Sequence, residues 1–218
     1  MANSCDIDEF YRYSNLVVEL SEKNLKTTSN EKIKSVFLKF MGRGFANIGL
    51  VYADKGDYKT SREYADKGLK IQEQVGDTLA IATSFCNIGV LYASQGDIKR
   101  ATDYYEKSLV LRERIQHKRG IFECLNNIGV IYDNQGDISR AIDYYMKSLK
   151  IAEEINDKIA MAASYNNLGY IYGNQDDSEN SLKYHLKSLA IREQMHDKKG
   201  ISESYNSIAH IYYKQKKY

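Results

Sequence analysis

One twelve-residue stretch recurs along the chain at a fixed interval. It reads NIGLVYADKGDY from residue 47, NIGVLYASQGDI from residue 87, NIGVIYDNQGDI from residue 127 and NLGYIYGNQDDS from residue 167. A degenerate copy, SIAHIYYKQKKY, starts at residue 207, so all five copies keep a 40-residue spacing without insertions. Periods of roughly 20 to 50 residues are typical of solenoids, in which one supersecondary unit is copied in tandem. The spacing therefore predicts a repeat array.

Composition and charge narrow the class of protein. The chain is 43% hydrophobic and 28% charged, which is typical of a soluble helical protein, and its net charge is only +2. Such a balance provides no bulk attraction to nucleic acids or to membrane surfaces. The chain has no long apolar run and its N-terminus, MANSCDIDEF, lacks the pattern of a secretory signal. We predict no nucleic-acid partner, no membrane partner and residence in the cytoplasm.

Each unit reads as two helices, A and B. Helix A carries an apolar stripe whose members in the second copy are Ile81, Phe85, Ile88 and Tyr92. At about 100° per residue these positions share one helix face. Gly96 is expected to end helix A in the left-handed conformation, and Asp97 to cap helix B. A glycine also recurs inside helix A, at 49, 89, 129 and 169. It predicts a close approach of helix B.

The unit resembles the tetratricopeptide repeat. The resemblance rests on Phe85, Ile88-Gly89 and Tyr92 on helix A, and on Ala101, Tyr105 and Ser108 on helix B. With its 40-residue period, the unit resembles the subclass of this repeat found in kinesin light chains and in bacterial signalling proteins. The resemblance implies an all-α fold, a right-handed superhelical α-solenoid of antiparallel helix pairs. The fourth copy departs from the pattern, with Asp176 for the turn glycine, Ser181 for the alanine and His185 for the aromatic residue.

The period also divides the chain. Residues 1–35 form a degenerate half-repeat that caps the array, with Phe10, Tyr13, Leu16, Val17 and Leu20 at helical spacing. Repeats follow at 36–76, 77–116, 117–156 and 157–196, and 197–218 is an incomplete repeat with helix A only. That last helix leaves Ile201, Tyr205, Ile208 and Tyr212 without their usual cover. We favour truncation of a longer chain over self-association through this C-terminal helix.

The face of helix A opposite the stripe lines a concave groove in the family that the chain resembles. Its candidate peptide-binding residues are Asn47, Asn87, Asn127 and Asn167 in a row, Asn126 and Asn166 beside them, the polar Thr83, Ser94 and Asn134, and an apolar strip of Leu50, Val90, Val130 and Tyr170. A carboxamide offers a donor and an acceptor together, which matches an extended peptide backbone. The groove is therefore predicted to bind a protein or an extended peptide. The alternative is that each asparagine bonds a neighbouring repeat and is structural.

No pattern indicates catalysis or a bound metal or cofactor. The histidines His117, His185, His196 and His210 share no metal-ligand spacing, and neither do the cysteines Cys5, Cys86 and Cys124, whose odd number fits a reducing compartment. Glycines of the Gly96-Asp97 type end helices and form no phosphate loop. We predict a non-catalytic scaffold without metal or cofactor. The alternative is a sensory-input or oligomerisation segment of a larger signalling regulator, such as a histidine kinase or a transcription factor.

Overall fold

The computed structural model describes residues 4–215, with side chains from residue 6 onward. This range contains helices and no β-strand. The helices are α1 Ser4–Thr27, α2 Glu31–Asp54, α3 Tyr58–Val75, α4 Thr78–Ser94, α5 Ile98–Arg114, α6 Lys118–Asn134, α7 Ile138–Glu154, α8 Lys158–Asn174, α9 Ser178–Gln194 and α10 Lys198–Gln215. The predicted all-α fold of paired helices is confirmed.

The helices fall into two compact units, with α1 to α5 ending at Ile115 and α6 to α10 following from Gln116. Within each unit, every helix packs against the next one along the chain. The A helices also touch, α2 with α4 in the first unit and α6 with α8 in the second. Each unit is therefore a stack of hairpins with its A helices side by side. The residue boundaries that we assign to the repeats stay a prediction.

The turn inside each helix pair follows the predicted chemistry. Gly96 adopts a φ of +76°, and the Asp97 carboxylate accepts a hydrogen bond from the Arg100 backbone N–H at 3.1 Å. The same glycine–aspartate turn occurs at Gly56 and at Gly136. Asp176 replaces the glycine and takes the same left-handed conformation, with a φ of +58°. Its Cβ makes this conformation costlier than it is for glycine.

The third position of the apolar stripe is the most deeply buried. Its members are Ile48, Ile88, Ile128 and Leu168, each at most 1% exposed. Burying one aliphatic side chain of this size stabilises the fold by roughly 1.5 to 3 kcal/mol. Leu91, Ile131 and Ile171, three residues further along the A helices, are buried as well. The buried face is therefore broader than the predicted stripe.

Three of the four recurring glycines inside the A helices make room for the ring of a helix B residue, whereas Gly49 faces the backbone of α3. A Cβ on Gly89 would lie 2.7 Å from Cε1 of Tyr105, and a Cβ on Gly129 would lie 2.7 Å from Cε1 of Tyr145. The recurring serines of helix B act elsewhere, since Ser108 Oγ donates to the Ala82 carbonyl at 2.7 Å. The predicted close approach of the two helices is present. At Gly89 and Gly129 the contact is between the glycine of helix A and an aromatic ring of helix B. The sequence pattern did not predict this pairing.

Helix α1 packs through a face other than the expected one. The five apolar residues Phe10, Tyr13, Leu16, Val17 and Leu20 are 38–60% exposed. The buried residues are Ser14, Val18 and Ser21. Val18 lies so close to Gly44 that a Cβ there would come within 2.7 Å of its Cγ2. Small side chains thus let α1 approach α2, and the five apolar residues of α1 face away from α2.

The last helix, α10, is uncovered on part of its apolar face. Tyr205 and Tyr212 are 54% and 50% exposed, as expected for a helix A without its helix B. Their counterparts Tyr165 and Tyr172 stack on Tyr184 of α9. The expectation was wrong for Ile208, which is only 8% exposed. This residue is covered because α10 packs against α9.

Two of the three cysteines can be placed. Cys86 and Cys124 are buried in α4 and α6, and the Cys5 side chain lies outside the described residues. Between residues 4 and 215, no helix combines the length and the apolar character needed to cross a membrane.

Candidate functional site

In the first unit, residues of α2, α3 and α4 enclose a surface cavity of about 330 Å³. It is lined by Arg43, Ala46, Asn47, Gln72, Leu79, Ala80, Thr83, Ser84 and Asn87. Three of the predicted groove residues, Asn47, Thr83 and Asn87, therefore come together at one site. They do so because α2 and α4 lie side by side and present the face opposite their apolar stripes.

The floor of this cavity is polar but internally satisfied. Gln72 is 2% exposed, and its Oε1 accepts a hydrogen bond from Ser84 Oγ at 2.7 Å. Its Nε2 donates to the Gly42 carbonyl at 3.3 Å. At the rim, Arg43 is paired with Asp77 at 3.3 Å, so little positive charge is left over. The cavity thus has no strong field of either sign.

The walls of the cavity carry the groups that are open to a ligand. Asn47 and Asn87 are half-buried, and neither side chain forms a hydrogen bond to any residue that the structure describes. Thr83 is exposed, but its hydroxyl donates to the Leu79 carbonyl of its own helix at 2.9 Å. Two carboxamides therefore face the site with their donors and acceptors available.

The other predicted residues of the first unit flank this cavity. Ser94 is exposed and its hydroxyl donates to the Val90 carbonyl at 3.0 Å. Val90 is 45% exposed and Leu50 is half-buried. Apolar surface is thus accessible beside the carboxamides.

In the second unit the asparagines are arranged differently. Asn167 Nδ2 on α8 donates to Asn126 Oδ1 on α6 at 2.8 Å, so these two amides tie neighbouring A helices together. Asn166 Oδ1 is buried without a hydrogen-bond partner among the described residues. Asn127 is half-buried and Asn134 is exposed. Two of the predicted groove residues are therefore already hydrogen-bonded to each other.

The apolar strip continues in the second unit with Val130 and Tyr170, which are 38% and 50% exposed. Tyr170 also borders a cavity of about 250 Å³ between α8, α9 and α10. Our sequence reasoning missed this cavity. Its lining residues are Gly169, Tyr170, Gly173, Asn174, Ser178, Ser181, His185, Asn206, Ser207, His210, Ile211 and Lys214. The signal was the eroded fourth copy, where Ser181 and His185 replace the usual alanine and aromatic residue.

His185 is the unusual group of this second cavity. Its side chain is 2% exposed, and its Nδ1 has no hydrogen-bond partner among the described residues. The ring of Tyr170 meets it edge-on, with the ring centroids 5.1 Å apart. Burial, and to a lesser extent the charge of Arg192, lowers the pKa of His185 to about 4. The imidazole is therefore neutral at physiological pH.

Of the other histidines, His210 lines the same cavity as His185, and the remaining two lie elsewhere. His117 caps α6, where its Nδ1 accepts a hydrogen bond from the Gly120 backbone N–H at 3.1 Å. His196 occupies a turn with a φ of +55°. Across residues 4–215, no group of three or more His, Cys, Asp or Glu side chains is placed to hold a metal ion.

Stacked helical hairpins with ligand-accessible A helices define the chain as a helical repeat protein of the solenoid class. Family models described as "Tetratricopeptide repeat" match residues 42–114, 122–154 and 161–198. The chain belongs to the tetratricopeptide repeat family, as the sequence motif indicated. No curated protein sequence matches it.

Several solved structures share the fold at low sequence identity. BtubC (BKLC) from P. vanneervenii has a TM-score of 0.80 and 17% identity, covering 94% of this chain and 83% of that one. Aspartyl phosphate phosphatase F from Bacillus subtilis has a TM-score of 0.72 and 18% identity, covering 80% of this chain but 47% of that one. The putative kinesin light chain repeats of Podosopora anserina have a TM-score of 0.58 and 14% identity, covering 88% and 94%.

Proposed function

We propose that this chain is a non-catalytic scaffold that binds an extended peptide segment of a protein partner on the exposed face of its A helices. The observation that carries the proposal is the first-unit cavity, where Asn47 and Asn87 point unbonded carboxamides at one space. Membership of the tetratricopeptide repeat family supports the general role of a protein-interaction scaffold. The asparagine contacts and the peptide class are our own inference.

The chemistry of the cavity favours an extended backbone. Each carboxamide can donate to a peptide C=O and accept from a peptide N–H, so two of them can hold one strand with little regard for its side chains. Accessible Val90 and half-buried Leu50 provide apolar contacts next to them. With Arg43 already paired to Asp77, the site has no cluster of cations to grip a terminal carboxylate. An uncharged, extended segment with apolar side chains fits best.

The double variant Asn47→Ala/Asn87→Ala tests this proposal. A random peptide library displayed on phage is selected on the wild-type chain, and a selected peptide is titrated against both proteins. We expect about fivefold or greater weakening, because two to four hydrogen bonds of about 0.5 to 1.5 kcal/mol each are lost. Lys70→Ala/Glu73→Ala, on the outer face of α3, is the matched control and should bind normally.

The melting temperature of the same double variant separates binding from stability. It should stay within about 2 °C of wild type, because neither side chain bonds to the described part of the protein. Unchanged affinity, or a large drop in melting temperature, would contradict the proposed role of the two asparagines.

Asn167→Ala should behave differently. It removes the 2.8 Å bond to Asn126, so we expect a loss of about 1 kcal/mol in the free energy of unfolding. Thermal unfolding of this variant beside Asn87→Ala measures the difference. Equal stability of the two variants would show that the Asn126–Asn167 bond contributes nothing in solution.

A second candidate function is a sensory-input or oligomerisation segment of a larger signalling regulator. The exposed tyrosines Tyr205 and Tyr212 on α10 favour it, because their counterparts in the fourth copy are covered by Tyr184. Sedimentation at high micromolar concentration should then show association that Tyr205→Ser/Tyr212→Ser abolishes. A strict monomer would count against this role. Residence in the cytoplasm stays a prediction from the sequence.

A further inference from the structure

The cavity between α8, α9 and α10 lies where the fourth copy differs from the third. In the third copy, Tyr145 is 2% exposed, and burial together with the nearby Asp133 carboxylate raises the pKa of its hydroxyl. Ile138 packs against the same buried cluster. Forty residues later, these three positions are Gly173, Ser178 and His185. All three replacements remove side-chain volume.

The position of the aromatic ring is nevertheless kept. Tyr145 lies against Gly129, and His185 lies in the same way against Gly169, where a Cβ would come within 2.8 Å of the imidazole. The carboxylate and the aliphatic side chain have no replacement. The result is the cavity of about 250 Å³, which Gly173, Ser178 and His185 all line. This is somewhat below the volume of a site for a drug-sized ligand, so the occupant is small.

The walls also indicate the chemistry of the occupant. Ser181 Oγ is engaged with the Gly169 carbonyl at 2.8 Å. Nδ1 of His185 is sealed from solvent and has no partner among the described residues, so a ligand in the cavity can meet only the rest of the ring. Ile211 and the ring of Tyr170 provide apolar wall, and the half-exposed Lys214 at the rim is ion-paired with Asp176, its Nζ lying 3.6 Å from Oδ1.

We propose that this cavity binds a small carboxylate with a short apolar body, either as a free organic acid or as the acidic side chain of a bound peptide. The carboxylate takes the place that Asp133 has in the third copy and accepts a hydrogen bond from the imidazole of His185. The apolar body replaces the side chain of Ile138 against Ile211 and Tyr170. This site does not rest on the proposed asparagine contacts of the first unit.

The probes are isovalerate, hexanoate and benzoate, each titrated calorimetrically into the full chain beside its neutral amide. We expect saturable binding of at least one acid, about tenfold or more tighter than its amide, because the carboxylate makes the stronger hydrogen bond. His185→Tyr, which restores the residue of the third copy, should weaken that acid at least about tenfold by filling the cavity. Lys70→Ala/Glu73→Ala is the matched control and should bind the acid as wild type does.

Further arms distinguish the sources and separate this site from the first-unit cavity. If no free acid binds, the peptide source is tested with a selected peptide that contains an acidic residue. Replacing that residue by its amide should weaken binding to the wild-type chain. His185→Tyr should weaken binding of the original peptide. Asn47→Ala/Asn87→Ala should leave acid binding intact even where peptide binding is lost. Amides that bind as well as acids, acid binding that survives in His185→Tyr, or no binding in either arm would each overturn the proposal. A circular dichroism melt shows that His185→Tyr is folded.

Discussion

Gly68→Ala is expected to destabilise the first unit by about 1 to 2 kcal/mol, although alanine is the better helix former. A Cβ on Gly68 would lie 2.7 Å from the Gly42 carbonyl oxygen and 3.1 Å from the Ala46 backbone nitrogen. Both are backbone atoms of α2, so they cannot move without moving the helix. Overpacking of this kind typically costs 1 to 3 kcal/mol or more, which exceeds the roughly 1 kcal/mol that alanine contributes through helix propensity.

Thermal melting of the variant, followed by circular dichroism, should show a decrease of about 3 to 8 °C. Gly173→Ala is the matched control. Its new Cβ meets only the serine hydroxyl of Ser181, at 3.0 Å, and alanine already stands at the equivalent positions 53 and 93. That control should melt at or above the wild-type temperature. A Gly68→Ala protein as stable as the control would refute the close backbone contact of α2 and α3.

Comparison with the other copies alone would favour serine instead of glycine at position 68. The equivalent residues in the next three copies are Ser108, Ser148 and Ser188, so serine looks like the consensus. Ser108 and Ser188 each donate a hydrogen bond across to the A helix, to the carbonyls of Ala82 and Ala162. In the first copy the backbones are too close to accommodate that side chain. Gly68→Ser is therefore expected to lose stability as well.

The second large effect is a pH dependence that originates at His185. Its pKa is about 4 in the folded protein because the side chain is buried, against an ordinary value of 6.5. Between these values the unfolded chain binds a proton that the folded protein excludes. Stability is therefore fully present above pH 6.5 and is lost as the pH falls towards 4. The loss by pH 4 is on the order of 2 to 3 kcal/mol.

Melting temperatures at pH 7 and pH 4.5, for wild type and for His185→Tyr, isolate this contribution. The carboxylates elsewhere in the chain are the same in both proteins, and so are His210 and Lys214, which line the same cavity. The decrease in melting temperature on acidification should therefore be several degrees smaller in His185→Tyr. Parallel decreases in the two proteins would show that His185 takes up its proton without opening the fold.

Much of the fold could be predicted from the sequence because its signals are local and are repeated. The spacing of Ile88 and its copies places them on one helix face, and glycine followed by aspartate, as at Gly96-Asp97, ends one helix and caps the next. Each such rule needs only a few neighbouring residues, and five copies repeat it. The family and the all-α class followed from this and are confirmed. The groove residues are still a proposal, since their role depends on a partner.

The sequence by itself determined the period, the helix pairs and part of the face that each helix A buries, because φ preference, capping and apolar spacing act within one unit. Only the tertiary structure decided which asparagines remain open. Asn126 and Asn167 bond each other, whereas Asn47 and Asn87 line a cavity, although all four stand on the same predicted face. It also decided that α1 packs through Ser14 and Val18, and that the loss of three side chains leaves a space beside His185. These outcomes depend on distances between different helices, and a linear pattern does not contain them.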